Sequence, residues 1–330
     1  MSRRSRLLES IAETIADYRE GEIPALTPAH VDTWIQQFDT AVQEPLLAEL
    51  DHIFKQTYFA KIKVKGFLSH LVKHPKFAGD DPGAFWKNVA FLNIQRGGSS
   101  QREMLEMFNE ILLKECGLEV QDCRDEPETF LYLDDGIFSG NRVRNDMIGW
   151  IESEAPSTAT VRVVVIALHR AVLDYAPPRI KQAARAANKQ IEMNWWRAVE
   201  IEDRRTYINT SEVLRPASLP GDALTTAYVK MLKDSGYPPV LRQAGVMGDS
   251  KVFSSEAGRD LLEQQLLQAG LQIREMCPYL KETHRPLGYI VLKTLGFGSL
   301  LVTFRNCPNN CPLAFWADDP WYPLFPRRIN

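Results

Sequence analysis

Two stretches of this chain share one pattern, a short apolar run followed by a small-residue turn and an amphipathic helix, and that pattern restricts the fold more than any other feature. In the first, residues 88–95 (NVAFLNIQ) read as a buried strand and RGGSS follows. Then QREMLEMFNEILLKECG puts Met104, Leu105, Phe108, Ile111 and Leu112 on one helical face, with Gly117 as a C-terminal stop. Ser100 and Glu103 stand at capping-box spacing. In the second, TFLYL is the strand, DDGIFSG the turn, and NRVRNDMIGWI a helix with Val143, Met147, Trp150 and Ile151 inward. ATVRVVVIALHR, rich in valine and isoleucine, is a further strand. PPRIKQAARAANKQIE reads as a polar helix after it. Strands alternating with helices predict an α/β fold with a mostly parallel sheet and helices on both faces.

The flanks differ in texture. Residues 1–82 read as a helical N-terminal region, with Trp34, Phe38, Val42, Leu46, Leu47, Leu50, Ile53 and Phe54 near helical spacing before the turn-rich AGDDPGAF. Residues 83–210 form the α/β core, and residues 211–285 a mainly helical insertion containing SSEAGRDLLEQQLLQAG. Residues 286–330 read as strands, LGYIVLK and LLVTFR in a hairpin, and then a proline- and tryptophan-dense tail that completes the core. The net charge of -3 exerts no global pull on nucleic acid or membrane. No apolar run is long enough to span a bilayer, and the N-terminus lacks a signal-peptide core, so the expected location is the cytoplasm. Five cysteines argue against a disulfide framework.

In an open α/β sheet, ligands bind where strand C-termini meet the following loops. In the first loop Gly97 and Gly98 let backbone approach a ligand, the helix N-terminus after Ser99 favours an anion, and Arg96 adds positive charge. An ordinary glycine turn has the same composition. The second loop says more. Asp134 and Asp135 end a strand, so at least one carboxylate reaches the crevice, where it can hold ribose hydroxyls or act through magnesium. Ser139 and Gly140 then open a helix, the geometry of a phosphate cradle. A solvated turn capped by aspartate and serine is the plainer alternative.

FLYLDDGIFSG resembles the PRPP-binding motif of type I phosphoribosyltransferases: an apolar strand, two acids, a few mostly apolar residues, then Ser-Gly and a helix. The resemblance covers residues 85–170. It implies that Asp134 and Asp135 hold the ribose hydroxyls of PRPP and that Gly136, Ile137, Phe138, Ser139, Gly140, Asn141 and Arg142 form the 5′-phosphate loop. Arg96, Gly97, Gly98 and Ser99 then match the pyrophosphate loop, and magnesium accompanies the ligand. The chain departs from the family at Phe138, where many members carry an acid or hydroxyl, and at Arg142, where many carry threonine. The segment between the loops is also too short for the mobile hairpin that commonly covers PRPP. The whole layout, with its ending NCPNNCPLAFW, resembles the phosphoribosyltransferase-like proteins of bacterial conflict systems, some of which accompany retron reverse transcriptases. That implies a toxic effector in antiviral defence, partnered by a reverse transcriptase with its RNA/DNA hybrid. It also implies a base-site hood in which Asn306, Asn309 and Asn310 offer amides and Trp316 stacks. The alternative is a catalytically inactive module of the same fold that binds a nucleotide or nucleic acid; a proline-asparagine turn with a core tryptophan explains the tail equally well.

Other groupings are weaker. Lys181, Arg185 and Lys189 recur at i, i+4 and i+8, a basic stripe that can meet nucleic-acid phosphates or simply face solvent. His70 and His74 have metal-sharing spacing but lack the acid of an HExxH motif, and Cys307 and Cys311 are not spaced as CxxC. His169 ends the valine-rich strand.

Overall fold

The computed structural model describes residues 1–95, 100–123, 127–249 and 252–327. It divides into two compact units, one of residues 62–201 and the other of residues 1–61 with the chain from residue 202 onward.

The first unit holds a four-stranded sheet, β1 (Val89–Leu92), β2 (Thr129–Ile137), β3 (Thr158–His169) and β4 (Gln190–Ile201), in chain order with every neighbouring pair parallel. The connections are α1 (Ser100–Cys116), α2 (Asn141–Ser153) and α3 (Ala171–Ala186). Consecutive strand side chains point to opposite faces, and both faces are covered. Leu92, Tyr132, Val161, Val163 and Val165 pack with Met147 and Trp150 of α2 and with Val172 and Ile180 of α3. On the opposite face Phe91 meets Phe108 of α1 at a ring-centroid distance of 5.6 Å and stacks on Trp86 at 6.1 Å. The run Val163–Leu168 is 0–1% exposed. At about 1.5–3 kcal/mol for each fully buried large aliphatic side chain, β3 is the apolar spine of the sheet.

Two elements depart from the expectations. The helix after β3 begins at Ala171, not at Pro177, and carries Pro177 and Pro178 inside it. Proline favours a first helical turn, which is why the pair reads as a start. The helix also ends at Ala186: Asn188 takes a positive φ of 56°, and residues 190–192, expected to be helical, open β4. Lys189 is therefore in a turn and off the helix face shared by Lys181 and Arg185.

In the second unit the helices Arg3–Thr14, Pro28–Ile35, Thr40–Thr57, Ala223–Asp234 and Glu256–Met276 contribute to one core. Trp34, Phe54, Leu266, Phe315 and Phe325 meet there, and the Trp34 indole donates to the Ala314 carbonyl at 2.7 Å. The tail, expected to complete the sheet-bearing core, packs with the N-terminal helices because its aromatic residues find their partners there. The unit boundaries accordingly fall near residues 61 and 201, not 82 and 210. The expected hairpin of LGYIVLK and LLVTFR does not form. Gly288–Tyr289 pairs antiparallel with His284–Arg285, while Val302–Thr303 pairs parallel with Tyr58–Phe59. At Gly288, with φ 107°, a Cβ would run into the Asn310 carbonyl, so the chain there packs backbone on backbone. Behind this region lies a buried ionic cluster. Glu263 meets Arg259 at 2.8 Å and Arg242 at 3.2 Å, all three side chains being fully buried, and accepts the Arg215 backbone N–H at 2.7 Å. Among the described residues no helix is long and apolar enough to cross a membrane.

Candidate functional site

The parallel strands bring their C-terminal ends to one edge of the sheet, and the acid pair lies there. Asp134 stands opposite Val165 on β3. Its side chain shares the α2 and α3 face with Tyr132, and the Asp135 carboxyl lies against it. Asp134 is buried, 5% exposed, and both its carboxylate oxygens accept hydrogen bonds, Oδ2 from Gln95 Nε2 at 2.7 Å and Oδ1 from the Asp135 N–H at 2.9 Å. Asp135 is half-buried. The two acids thus divide their work: Asp134 is tied into the protein, and Asp135 is the carboxylate with more access to solvent.

Gln95 joins the two loops. Its amide nitrogen also donates to the Tyr132 hydroxyl at 3.3 Å, and its Oε1 accepts from Ser100 Oγ at 3.0 Å and from the Gln101 N–H at 3.3 Å. The Tyr132 hydroxyl donates in turn to Asp146 of α2 at 3.1 Å. Gln101, 1% exposed, accepts the backbone N–H groups of Ile94 and Gln95. So Ser100, expected to cap α1 with Glu103, spends its hydroxyl on Gln95. None of Gln95, Gln101, Tyr132 and Asp146 stood out in the sequence. The only signal was a glutamine on either side of RGGSS. Residues Arg96, Gly97, Gly98 and Ser99, the expected pyrophosphate loop, lie outside the described residues.

Burial, and then the neighbouring Asp135 carboxylate, push the Asp134 carboxyl up to about 7, while the nearby Ser100 hydroxyl and the Asp135 N–H favour the anion. Burial, followed by the negative charge of Asp134, likewise raises the Tyr132 hydroxyl. The site therefore carries less negative charge at neutral pH than two ordinary aspartates.

The turn after β2 is shaped by packing. Phe138 lies against the buried His169 ring, with centroids 4.7 Å apart, and a Cβ on Gly136 would meet its ring at 3.2 Å. Phe138 therefore covers the imidazole at the strand end. Ile137 is buried in the sheet core and Ser139 is exposed. Gly140 is the N-cap of α2, with φ 73° and no side chain to offer; Ser139 Oγ accepts the Asn141 N–H at 3.4 Å, and the N–H groups that follow are directed at the turn. Arg142 is exposed beside them, and Asn141 accepts from Tyr175 at 2.6 Å. A Cβ at Gly140 would come within 3.2 Å of Val172. Gly140→Ala is expected to cost about 1–2 kcal/mol from left-handed backbone strain and that close approach. Native-state hydrogen exchange in α2 checks this; unchanged protection would show that the turn relaxes freely.

The base-site candidates belong to the second unit and are engaged in its packing. Asn306 Oδ1 accepts the Cys307 N–H at 3.1 Å, Asn310 Nδ2 donates to the Tyr289 carbonyl at 3.0 Å, and the Trp316 indole donates to the Cys311 carbonyl at 2.9 Å under the Arg327 guanidinium. Asn309 lends its backbone carbonyl to the Tyr289 N–H at 2.7 Å.

Among the described residues no group of three or more histidine, cysteine or acidic side chains is placed to hold a metal. His74 Nδ1 accepts the Lys76 N–H, and the buried Cys311 thiol donates to the Leu301 carbonyl. The acid pair offers hard oxygens suited to magnesium, but as a supplement to oxygens brought by a ligand. Compared with known proteins, the chain matches the family model PRTase-CE over residues 31–327. No match was found among curated proteins or among solved structures.

Proposed function

We propose, from the premise that the chain belongs to the phosphoribosyltransferase-like PRTase-CE family, that the strand-end edge of the sheet binds PRPP or a related ribose phosphate. The observation that carries this reading is the sequence of parts along one turn: a buried acid braced by Gln95, a more accessible acid beside it, and a helix start with Ser139 Oγ on its first N–H and Arg142 exposed next to it. The 5′-phosphate would sit on the α2 N-terminus, where the Ser139 hydroxyl, the first-turn N–H groups and the helix dipole favour a dianion. Asp135 would accept from the ribose hydroxyls, and Asp134 would hold the strand end and Gln95 in place. Asp135 and Asp134 are the carboxylates this chain would offer towards a magnesium ion brought with the ligand, which would supply charge neutralisation. In a transfer reaction the same negative charge would stabilise a ribo-oxocarbenium ion.

A second reading, binding without turnover, is favoured by Phe138. It stands where many related motifs carry a proton-transferring group, and here it serves to cover His169. Titration calorimetry with PRPP and magnesium tests both readings. The parent is expected to bind, and Asp135→Asn to weaken binding at least about tenfold, the equivalent of one charge-assisted hydrogen bond. Pyrophosphate release alongside binding would support the transferase, and binding alone the module. Absence of binding by the parent would remove both. The biological setting proposed with this reading is a toxic effector of antiviral defence held by a reverse transcriptase. It requires growth arrest on expression that is relieved by Asp135→Asn and by a co-expressed partner.

A further inference from the structure

The end of the sheet away from the acid pair carries a second concave surface. A cleft of about 580 Å³ opens where β3 and β4 begin and α3 ends, and Lys181, Arg185 and Lys189 all line it. The three cations that spacing alone placed on one helix face thus converge by a different route: Lys181 and Arg185 from α3, and Lys189 from the turn that leads into β4. Their roles differ. The Lys189 ammonium donates to the Ile151 carbonyl at the end of α2, which anchors the cleft wall. Lys181 and Arg185 are exposed and form no ion pair among the described residues. They are one helical turn apart, about 6 Å along the axis. From Arg170 to Lys189 the chain has five cations and one acid, in a protein of net charge -3, so positive charge is concentrated here against the average. A purely solvated face would not need a cleft, and a bare inorganic anion would not fill one of this size. Ile191 and Met193 supply an apolar floor on which a base or ribose can lie.

We propose that this cleft is a second binding site, for the phosphate of a nucleotide, with Lys181 and Arg185 on the phosphate and Ile191 and Met193 under the sugar or base. The nucleotide is either free or one unit of a single strand; the chemistry at the cleft is shared. Glu192, on the rim, is the one opposing charge in it. The site is independent of the ribose-phosphate reading, because none of its residues belongs to the acid-pair edge.

The test is fluorescence anisotropy with an end-labelled single-stranded oligonucleotide at several salt concentrations, with ADP as competitor. The parent is expected to bind, and Lys181→Ala/Arg185→Ala to lose at least about tenfold in affinity. Its salt dependence should flatten by about 0.7 in log–log slope, the value for one phosphate contact on a single strand. Glu192→Gln, which removes an exposed charge without emptying the cleft, is expected to tighten binding. Displacement by ADP identifies the free nucleotide as sufficient, and persistence of the complex identifies the strand; either outcome supports the cleft when it is lost in the double variant. Binding retained by Asp134→Asn/Asp135→Asn separates this site from the other. No binding by the parent to either probe, equal binding by the double variant, or equal displacement by poly-glutamate would overturn the proposal.

Discussion

Glu263→Gln is expected to destabilise the helical unit by about 3–5 kcal/mol, the range for removing one partner of a buried ion pair. The carboxylate lies between the Arg242 and Arg259 guanidiniums with no exposure on any of the three side chains, and it also accepts the Arg215 N–H. Burial already lowers Arg215 to about 10, against the opposing charges of Asp203 and Glu263. Glutamine keeps an acceptor but leaves the guanidiniums with Asp260 alone, which pairs with Arg242 from a partly exposed position. Because the chain forms two units, a single global unfolding free energy is a poor readout. Native-state hydrogen exchange in the helix Glu256–Met276 reports the local loss directly. Lys230→Ala, which breaks an exposed pair with Asp234, is the matched control and should shift exchange by less than about 1 kcal/mol. Equal shifts in the two variants would show that the cluster is not uniquely dependent on Glu263.

This cluster also marks where sequence reading stops. Arg215, Arg242, Arg259 and Glu263 are spread over dozens of residues, and only the i,i+4 pair of Arg259 and Glu263 has a recognisable spacing. The same limit applies to the tail. Its aromatic residues were legible as buried, but their partner, Trp34, is 280 residues away from Ala314. The parallel sheet was legible because its signals are local: β2 and β3 are continuous apolar runs, as strands buried on both faces must be. β4 was missed for the converse reason. It is an edge strand with most side chains half-buried or exposed, so it lacks such a run, and its first residues continue a helix-like polar pattern.

The candidate site divides along the same line. The turn from Asp134 to Arg142 was readable because glycine, serine and the strand end lie within ten residues. That Asp134 is braced and Asp135 more accessible was not readable. The difference comes from Gln95, which arrives from another loop, and from the packing of α2 and α3 over one face of β2. Phe138 looked like a missing catalytic group in the sequence. In the structure it has a positive explanation, as the ring that covers His169.

Asp134→Asn is expected to change the pH dependence of stability more than stability at any one low pH. Asp134 titrates near 7 in the folded protein, above its unfolded value of 3.8. The folded state therefore holds a proton that the unfolded state gives up, and this contribution is complete below about pH 4 and lost as pH rises through 7. Asparagine is neutral throughout and shares with protonated aspartate the loss of one acceptor site, which makes the comparison a fair one. At pH 8 the variant should be more stable than the parent by about 2–4 kcal/mol, with the gap closing towards pH 4. Native-state hydrogen exchange of the β2 and β3 amides across that range, corrected for the intrinsic rate at each pH, measures it, and parallel profiles for parent and variant would show that Asp134 is an ordinary carboxylate. The same proton ties stability to ligand binding. A cation-bearing ribose phosphate settling beside the pair favours the ionised form, so binding at pH 6 should release close to one proton and at pH 8.5 almost none. Calorimetry in buffers of different ionisation enthalpy counts that proton. In Asp134→Asn the count at pH 6 should fall by close to one proton, leaving what the ligand's own phosphate gives up, while Asp135 still binds; release unchanged by the substitution would place the proton elsewhere.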